Sequence, residues 1–291
     1  MKHRVSIIGG DLRIVKLAKM LAEENNEVCI YALEKAEELK EKENIRYCEN
    51  MKDAIEKSDI VVGPIPFSSN GKEINTPFSN KTITIRELLN EAHGKVLVAG
   101  SVPISVCDIL DEENIEIVDV MQKEELAVLN TIATAEGAIE VAISNTNKIL
   151  HGSEILILGF GRVAKTLATK LKGLSVNVTC AARKSEDEAW IRTYGYKYLN
   201  INTLGENLNK FDIIMNTVPN LILTDKKLRY VNKECLLIDL SSKPGGIDEN
   251  KAKEYGINMK WALALPGKVA PVTTAEFIKE IINKILEKIY N

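Results

Sequence analysis

One six-residue stretch of this sequence has the spacing of a phosphate-binding turn. It consists of Gly159, Phe160, Gly161, Arg162, Val163 and Ala164. An apolar run precedes it and a helical pattern follows it, which is the context that gives the G-x-G-x-x-A spacing its meaning. The first glycine makes the tight turn, the second lets the backbone approach a pyrophosphate, and the helix N-terminus supplies N–H donors. The sequence therefore predicts that these six residues bind a dinucleotide.

The end of the next predicted strand indicates which dinucleotide is bound. NAD-selective folds place an Asp or Glu about 20 residues past the glycines, where it holds the ribose 2′-hydroxyl. Here Arg183, Lys184 and Ser185 follow the strand, and no carboxylate ends it. These three side chains can hold a 2′-phosphate through charge-assisted hydrogen bonds, so we expect NADP rather than NAD. A solvated basic turn is the alternative, but it leaves the missing acid unexplained.

Three more polar turns follow predicted strands in the same half of the chain. We expect them to form the walls of a nicotinamide pocket, through Thr217, Val218, Pro219, Ser241, Pro266, Gly267 and Val269. The reason is that the carboxyl ends of parallel strands meet at one edge of a sheet. Proline and glycine also mark ordinary turns, which remains the alternative for each turn taken alone.

Side chains that serve many other active sites are few and scattered. All three histidines, His3, His93 and His151, precede the glycine motif, so none is placed to act as the acid–base group of a 2-hydroxy-acid dehydrogenase. The five cysteines never occur in a CxxC spacing. We therefore expect reduced core cysteines and no metal site, and we assign no catalytic base.

Length and charge narrow the class of protein further. A chain of 291 residues suits two domains that each bury a core. The formal net charge of -3 provides no basic field for nucleic acid or a membrane surface, so small-molecule partners are favoured. We identify no signal peptide and no apolar stretch of the roughly 20 residues that span a bilayer. The expectation is a cytoplasmic protein.

The pattern of apolar runs predicts the fold class. Six short runs in the first half and five in the second read as strands, and amphipathic segments between them read as helices. We expect an α/β protein with two Rossmann-like, doubly wound parallel-sheet domains, a cleft between them and a long linking helix. The predicted domains are 1–125 for substrate and 126–272 for NADP, the second including the linking helix. The terminal helix, 273–291, is expected to pack back on the first domain.

The first domain carries a weaker copy of the glycine turn. Its residues are Gly9, Gly10 and Asp11, with an acid where a dinucleotide fold places its second glycine. Asp11 would repel a pyrophosphate, whereas Arg13 would attract a carboxylate. The long loop at 63–80 holds three prolines and two glycines after a predicted strand, where open α/β sheets bind ligands. We therefore expect the loop at 63–80 to contact a substrate rather than to be an ordinary surface loop.

Five stretches of the chain carry a resemblance to known proteins. They are GGDLR at 9–13, PFSN at 77–80, EELAVLNTIATAEGAIEVAI at 124–143, LGFGRVAKTLA at 158–168 and LPGKVAP at 265–271. Together they resemble one enzyme family, the A subunits of dipicolinate synthase from spore-forming bacteria. The resemblance runs from end to end of the chain. It implies a two-subunit enzyme, with a flavoprotein-like B subunit, that oxidises dihydrodipicolinate to dipicolinate with NADP. It further implies a branch from lysine biosynthesis that operates in the mother cell during sporulation; a homo-oligomer is compatible with it.

The implied substrate carries two carboxylates, which cations and hydroxyls would bind. The first domain presents Arg13, Ser68, Ser69, Lys72 and Ser79 for this role, and Thr134 and Glu136 on the linking helix are the other candidate substrate residues. Two alternatives stay open at this point. One is another two-lobed NAD(P) dehydrogenase, of the 2-hydroxy-acid or methylenetetrahydrofolate type. The other is a non-catalytic, NADP-binding regulatory protein whose partner performs the chemistry.

Overall fold

The structure, a computed structural model, describes residues 2–40, 42–106 and 115–290. The chain divides into two compact units, one formed by residues 1–129 with 270–291 and the other by residues 130–269. Each unit contains a six-stranded parallel sheet with helices. The predicted α/β class with two Rossmann-like units is therefore confirmed. Cys107, which we expected to be a core cysteine, lies outside the described residues.

The first unit has its strands in the order β3-β2-β1-β4-β5-β6. The strands are β1 (Arg4–Ile8), β2 (Glu27–Tyr31), β3 (Ile45–Tyr47), β4 (Ile60–Val62), β5 (Val96–Ala99) and β6 (Glu116–Asp119). The helices are α1 (Leu12–Glu23), α2 (Met51–Ile55) and α3 (Ile85–Glu91), and α4 (Glu124–Asn145) begins in this unit. β4 is buried along its whole length, as expected for a central strand with helices on both faces.

The second unit repeats this layout in the order β12-β11-β10-β7-β8-β9. The strands are β7 (Glu154–Leu158), β8 (Asn177–Ala182), β9 (Lys197–Asn200), β10 (Ile213–Asn216), β11 (Leu236–Asp239) and β12 (Met259–Trp261). The helices are α5 (Arg162–Gly173), α6 (Ser185–Thr193), α7 (Asp225–Leu228), α8 (Glu249–Glu254) and α9 (Leu265–Val269). The strand order reverses at β7, so ligands are expected beyond the carboxyl ends of β7 and its neighbours.

The last helix, α10 (Pro271–Tyr290), packs in the first unit. Its apolar stripe includes Ile278 and Ile282, which are buried in the same cluster as Leu17 and Leu21 of α1. This is the amphipathic spacing that the sequence shows.

The helix α4 is unusually apolar. It is long and apolar enough to cross a membrane by length and composition, with a mean hydropathy of 1.5. The expectation that no apolar stretch is long enough to span a bilayer is therefore corrected. Core helices of soluble proteins have the same length and composition, and 44% of the apolar window is buried inside the protein.

Candidate dinucleotide site

The turn between β7 and α5 can be made only with glycine at its first position. Gly159 has a φ of +99°, which side chains rarely adopt. A methyl group there would lie 2.5 Å from the Thr217 hydroxyl oxygen and 2.9 Å from a Val218 methyl carbon. The Gly159 N–H donates to the Ala181 carbonyl at 2.8 Å, which ties the turn to the next strand. Thr217 and Val218, which follow β10, therefore pass so close to Gly159 that a side chain there would clash with them.

The second glycine of the motif faces open space. Gly161 is the N-cap of α5, its backbone is extended, and no side chain caps the helix. A methyl group at Gly161 would meet no protein atom within 4 Å. The positive end of the α5 dipole therefore faces a space that a phosphate can enter. Ala164, one turn later, is fully buried in the unit's core, which permits the close packing that the motif requires.

A cavity of about 420 Å³ adjoins this turn. It is lined by Gly159, Phe160, Ala182, Arg183, Lys184, Asp187, Ile201, Asn202, Val218, Asn220 and Ile222. Both predicted cations at the end of β8 thus share one cavity with the glycine turn. The sequence analysis did not identify Asp187, which lies in the first turn of α6, two residues past Ser185. Ser185 and Arg162 are not lining residues of this cavity.

A buried polar network joins the ends of β10 and β11, where the sequence predicts the nicotinamide pocket. Asn216 and Asp239 are both fully buried. The Asn216 side-chain amide donates to an Asp239 oxygen at 2.8 Å and to the Val218 carbonyl at 2.9 Å. Ser241 donates its hydroxyl hydrogen to Asp239 at 2.6 Å. Thr217 donates its hydroxyl hydrogen to the Leu158 carbonyl at 2.8 Å, so the turns after β7, β10 and β11 are joined.

The LPGKV segment lies elsewhere in the second unit. It forms α9, which packs on the linking helix, because a methyl group at Gly137 would lie 3.1 Å from Leu265 and 3.2 Å from Val269. Val269 lines a separate cavity of about 570 Å³ with Glu140 and Trp261. The structure therefore does not place Val269 in the cavity that contains Arg183. The lining of neither cavity includes Pro266, Gly267 or Pro219.

The corresponding turn of the first unit is filled by its own chain. The Gly10 N–H donates to the Asn75 carbonyl at 3.0 Å. A methyl group at Gly9 would lie 2.9 Å from a carbon of Thr76. The N-cap of α1 is Asp11, whose carboxylate accepts from the Arg13 N–H at 3.0 Å. This turn therefore differs from the open turn at Gly161, and the long loop occupies the space beside it.

Arg13 is built into that turn. Its guanidinium donates to the Asp11 carboxylate at 2.7 Å and to the Ile65 carbonyl, and its side chain is 7% exposed. The carboxylate that Arg13 attracts in this structure is thus the one two residues before it. The ion pair joins the start of α1 to the loop that follows β4.

The other predicted substrate residues are distributed over the loop and the linking helix. In the loop, Ser68 donates to the Glu73 carbonyl at 2.5 Å, Ser69 to Asn75 at 2.7 Å and Ser79 to Glu34 at 2.7 Å, while Lys72 is exposed. On α4, the Thr134 hydroxyl donates to the Asn130 carbonyl at 2.8 Å, and Glu136 accepts from Lys170 at 2.7 Å. The loop hydroxyls therefore help to order the loop itself.

The described part of the chain favours neither a metal site nor a reactive thiol at Cys180 or Cys235. Within residues 2–40, 42–106 and 115–290, no group of three His, Cys, Asp or Glu side chains could hold a metal ion. Burial raises the pKa of the Cys180 and Cys235 thiols to about 12, so both stay protonated at neutral pH.

Each unit contains a region that matches a family of known protein domains. Residues 4–121 match the family of the N-terminal domain of the dipicolinate synthase A subunit. Residues 133–241 match the NAD-binding domain of D-isomer-specific 2-hydroxyacid dehydrogenases. The cofactor class of the second unit is therefore a nicotinamide dinucleotide, and the chain is of the NAD(P)-linked dehydrogenase type.

Individual relatives agree over the full length. The chain is 27% identical over 288 residues to the dipicolinate synthase A subunit of Bacillus subtilis, covering 98% of this chain and 96% of the relative. The crystal structure of that Bacillus subtilis protein superposes with a TM-score of 0.88 at 27% identity, covering 100% of this chain and 97% of that one. The A subunit from Bacillus halodurans gives 0.88 at 29% identity, covering 98% and 97%. Along its whole length, this chain is similar to the dipicolinate synthase A subunits.

Proposed function

We propose that this chain is the NADP-binding component of an oxidoreductase that converts dihydrodipicolinate to dipicolinate. The observation that supports it best is the cavity beside the open Gly161 turn, where Arg183 and Lys184 stand at the end of β8. The relatives are named as A subunits of dipicolinate synthase, which supports dipicolinate as the product and a second kind of subunit as the partner. When bound, the cofactor supplies the ring that accepts a hydride.

The choice of NADP over NAD rests on charge. Arg183 and Lys184 both line the cavity at the position where a ribose 2′-phosphate would lie. Asp187 also lines it, at the start of α6, and would be placed to accept from a ribose hydroxyl. Two cations against one acid favour a dianionic phosphate. Ser185 and the backbone of Arg162 and Val163 complete the proposed cofactor contacts.

The nicotinamide half is proposed to lie along the ends of β7, β10 and β11. Thr217, Val218 and Ser241 are fixed there by the network of Asn216 and Asp239. A rigid wall of this kind orients a ring without contributing charge, and orientation can supply much of a rate enhancement. We also propose contacts to the nicotinamide half from Pro219, which follows β10, and from Pro266, Gly267 and Val269 of α9.

We propose that several residues of the first unit contact the substrate. The exposed Lys72 and Ser69 are the groups of its long loop best placed to meet a carboxylate. Ser68, Ser79 and Arg13 act in this proposal by holding the loop and the start of α1. Thr134 and Glu136 of α4 are the proposed contacts outside the loop.

The reaction needs little acid–base machinery. Oxidation of the dihydro ring removes one hydride and one proton, and the product is an aromatic pyridine whose stability favours the forward direction. The chain's task is to hold the two carboxylates and to orient the ring carbon that loses the hydride. We assign no residue to the proton.

The biological setting follows from the relatives rather than from geometry. Their designation as one subunit of an enzyme implies an assembly of more than one kind of chain. We propose that this chain works with a flavoprotein-like B subunit in the mother cell during sporulation, and it could also self-associate.

One experiment separates this function from its alternatives. Absorbance at 340 nm is followed with purified chain, NADP and dihydrodipicolinate, first without and then with the B subunit. NADPH formation in either mixture supports the proposal. NADPH formation with 2-hydroxy acids and none with dihydrodipicolinate would favour the 2-hydroxyacid class, to which the match of residues 133–241 points. NADP binding without turnover in any mixture would favour a regulatory role.

Two variants test the cofactor choice in the same preparation. Arg183→Ala should weaken NADP binding about tenfold or more, because a charge-assisted hydrogen bond is lost, and should leave NAD binding unchanged. Lys253→Ala, at an exposed lysine of α8, serves as the charge-matched control. Equal loss of NAD and NADP binding in Arg183→Ala would contradict the 2′-phosphate role.

A further inference from the structure

Hydrogen bonds to one carboxylate, that of Asp239, fix the turn that follows β11. Asp239 is fully buried and accepts from the Ser241 N–H at 3.0 Å, the Gly246 N–H at 2.7 Å and the Ile247 N–H at 3.2 Å. It also accepts from the Ser241 hydroxyl and the Asn216 amide, as described above. Five donors on one buried carboxylate fix both ends of the turn relative to the strand.

An aromatic ring holds the same turn from the side. The Trp261 indole N–H donates to the Ser241 carbonyl at 2.9 Å. A methyl group at Gly245 would lie 3.0 Å from the Trp261 ring, so the turn passes against the ring. The Lys243 ammonium lies 5.8 Å from the centre of the Trp261 ring, within the range of a cation–π contact. Lys243 itself is exposed.

The hydrogen bonds to Asp239 and the contacts with Trp261 hold the turn that carries Lys243, so its cation lies at a defined place at the edge of the sheet. A plain surface turn needs neither a buried carboxylate nor an indole hydrogen bond to persist. Only Ser242, Lys243 and Pro244 of the turn are exposed, while the residues on either side of them are buried. The fold therefore positions the Lys243 charge beyond the carboxyl end of β11.

The position of Lys243 separates it from the cofactor's phosphate ligands. β8, with Arg183 and Lys184 at its end, and β11 are three strand positions apart in the order β11-β10-β7-β8. At about 4.8 Å per strand, this is roughly 14 Å. The 2′-phosphate is proposed at β8, so Lys243 stands at the opposite, nicotinamide end.

We propose that Lys243 is a substrate-binding residue that pairs with one carboxylate of the pyridine dicarboxylate. This inference rests on the proposed function, because it takes the ring that loses the hydride to lie at the ends of β10 and β11. A carboxylate next to that ring needs a cation, and Lys243 provides one from the cofactor-binding unit itself. The cation–π contact with the Trp261 ring favours this position of the ammonium.

The test uses dipicolinate as the probe and does not depend on turnover. The chain has two tryptophans, and Trp190→Phe leaves Trp261 as the single emitter. Dipicolinate is titrated into NADP-loaded protein while Trp261 fluorescence is recorded, and equilibrium dialysis checks each dissociation constant. Lys243→Met should raise the dipicolinate dissociation constant at least tenfold, and Lys243→Arg should restore part of the affinity. The dissociation constant of NADP should change less than twofold in both variants.

Controls keep the possible outcomes distinct. Lys253→Met removes an exposed lysine of α8 and should leave the dipicolinate dissociation constant unchanged, and thermal melts report on folding of every variant. If Lys243→Met binds dipicolinate as tightly as Lys253→Met, the inference is overturned while the proposed function stands. If the parent protein binds NADP but no dipicolinate, even with the B subunit present, the proposed substrate is wrong and the role of Lys243 falls with it.

Discussion

Gly161→Ala separates the stability of the second unit from its ability to bind a phosphate. The backbone at Gly161 has a φ of -80° and a ψ of -167°, which alanine adopts without strain. The added methyl group meets no protein atom within 4 Å. The only cost to folding is a poorer N-cap residue, worth about 0.5 kcal/mol. The variant should therefore fold and melt within a few degrees of the parent.

Cofactor affinity should behave differently in this variant. The methyl group projects into the space that the pyrophosphate needs beside the α5 N-terminus. Loss of one well-placed backbone contact to an anion costs about 1.5–3 kcal/mol, which is roughly a 10- to 150-fold rise in the NADP dissociation constant. Isothermal titration calorimetry with NADP measures it, and differential scanning calorimetry measures the melting temperature.

The matched variant at the first glycine should show the opposite pattern of stability. Gly159→Ala forces a methyl group to within 2.5 Å of the Thr217 hydroxyl oxygen at a φ of +99°. It should destabilise the fold by about 2 kcal/mol or more, from strain and overpacking together.

Unchanged NADP affinity in a well-folded Gly161→Ala protein would refute the assignment of this turn as the phosphate site.

Three further predictions concern stability and reactivity. Arg13→Ala should lower the free energy of unfolding by about 2–3 kcal/mol in urea titrations, because it leaves the Asp11 carboxylate without its cation in a mostly buried ion pair. A loss below about 0.5 kcal/mol would contradict this. Iodoacetamide at pH 8 should label Cys180 and Cys235 only after unfolding, as mass spectrometry would show, since burial raises their thiol pKa to about 12. A hydrogen bond from Lys148 lowers the pKa of Asp212, so the stabilisation is present at neutral pH and lost as the pH falls through that lowered value. Asp212→Asn should therefore cost about 1 kcal/mol at pH 7 in urea titrations and progressively less below about pH 4; a constant difference would argue against the ion pair.

The parts of the fold that local sequence determines were predictable. The G-x-G-x-x-A turn is set by conformational and packing demands within a few residues, and Gly159 and Gly161 meet them. The central parallel strands are continuous apolar runs, and eleven of the strands could be predicted from the sequence. β9 (Lys197–Asn200), an edge strand that is exposed at both ends, was missed.

The site details that long-range packing determines were not predictable. Nothing in the sequence near Gly10 shows that the Asn75 carbonyl, 65 residues away, takes its N–H. Arg13 has the charge to bind a substrate carboxylate, but the fold pairs it with Asp11 and the Ile65 carbonyl. Asp187 lines the cavity beside Gly159 because α6 begins at Ser185, soon after β8 ends at Ala182.

The most direct test of the account is a stoichiometric one. This chain, loaded with one equivalent of NADP, is mixed with excess dihydrodipicolinate and the B subunit, and NADPH and dipicolinate are quantified together. One NADPH is expected for each dipicolinate formed, with a yield that is limited by the NADP bound to this chain and lowered by Gly161→Ala because that variant binds NADP more weakly. Dipicolinate formed without NADPH, or an undiminished yield from Gly161→Ala, would contradict it.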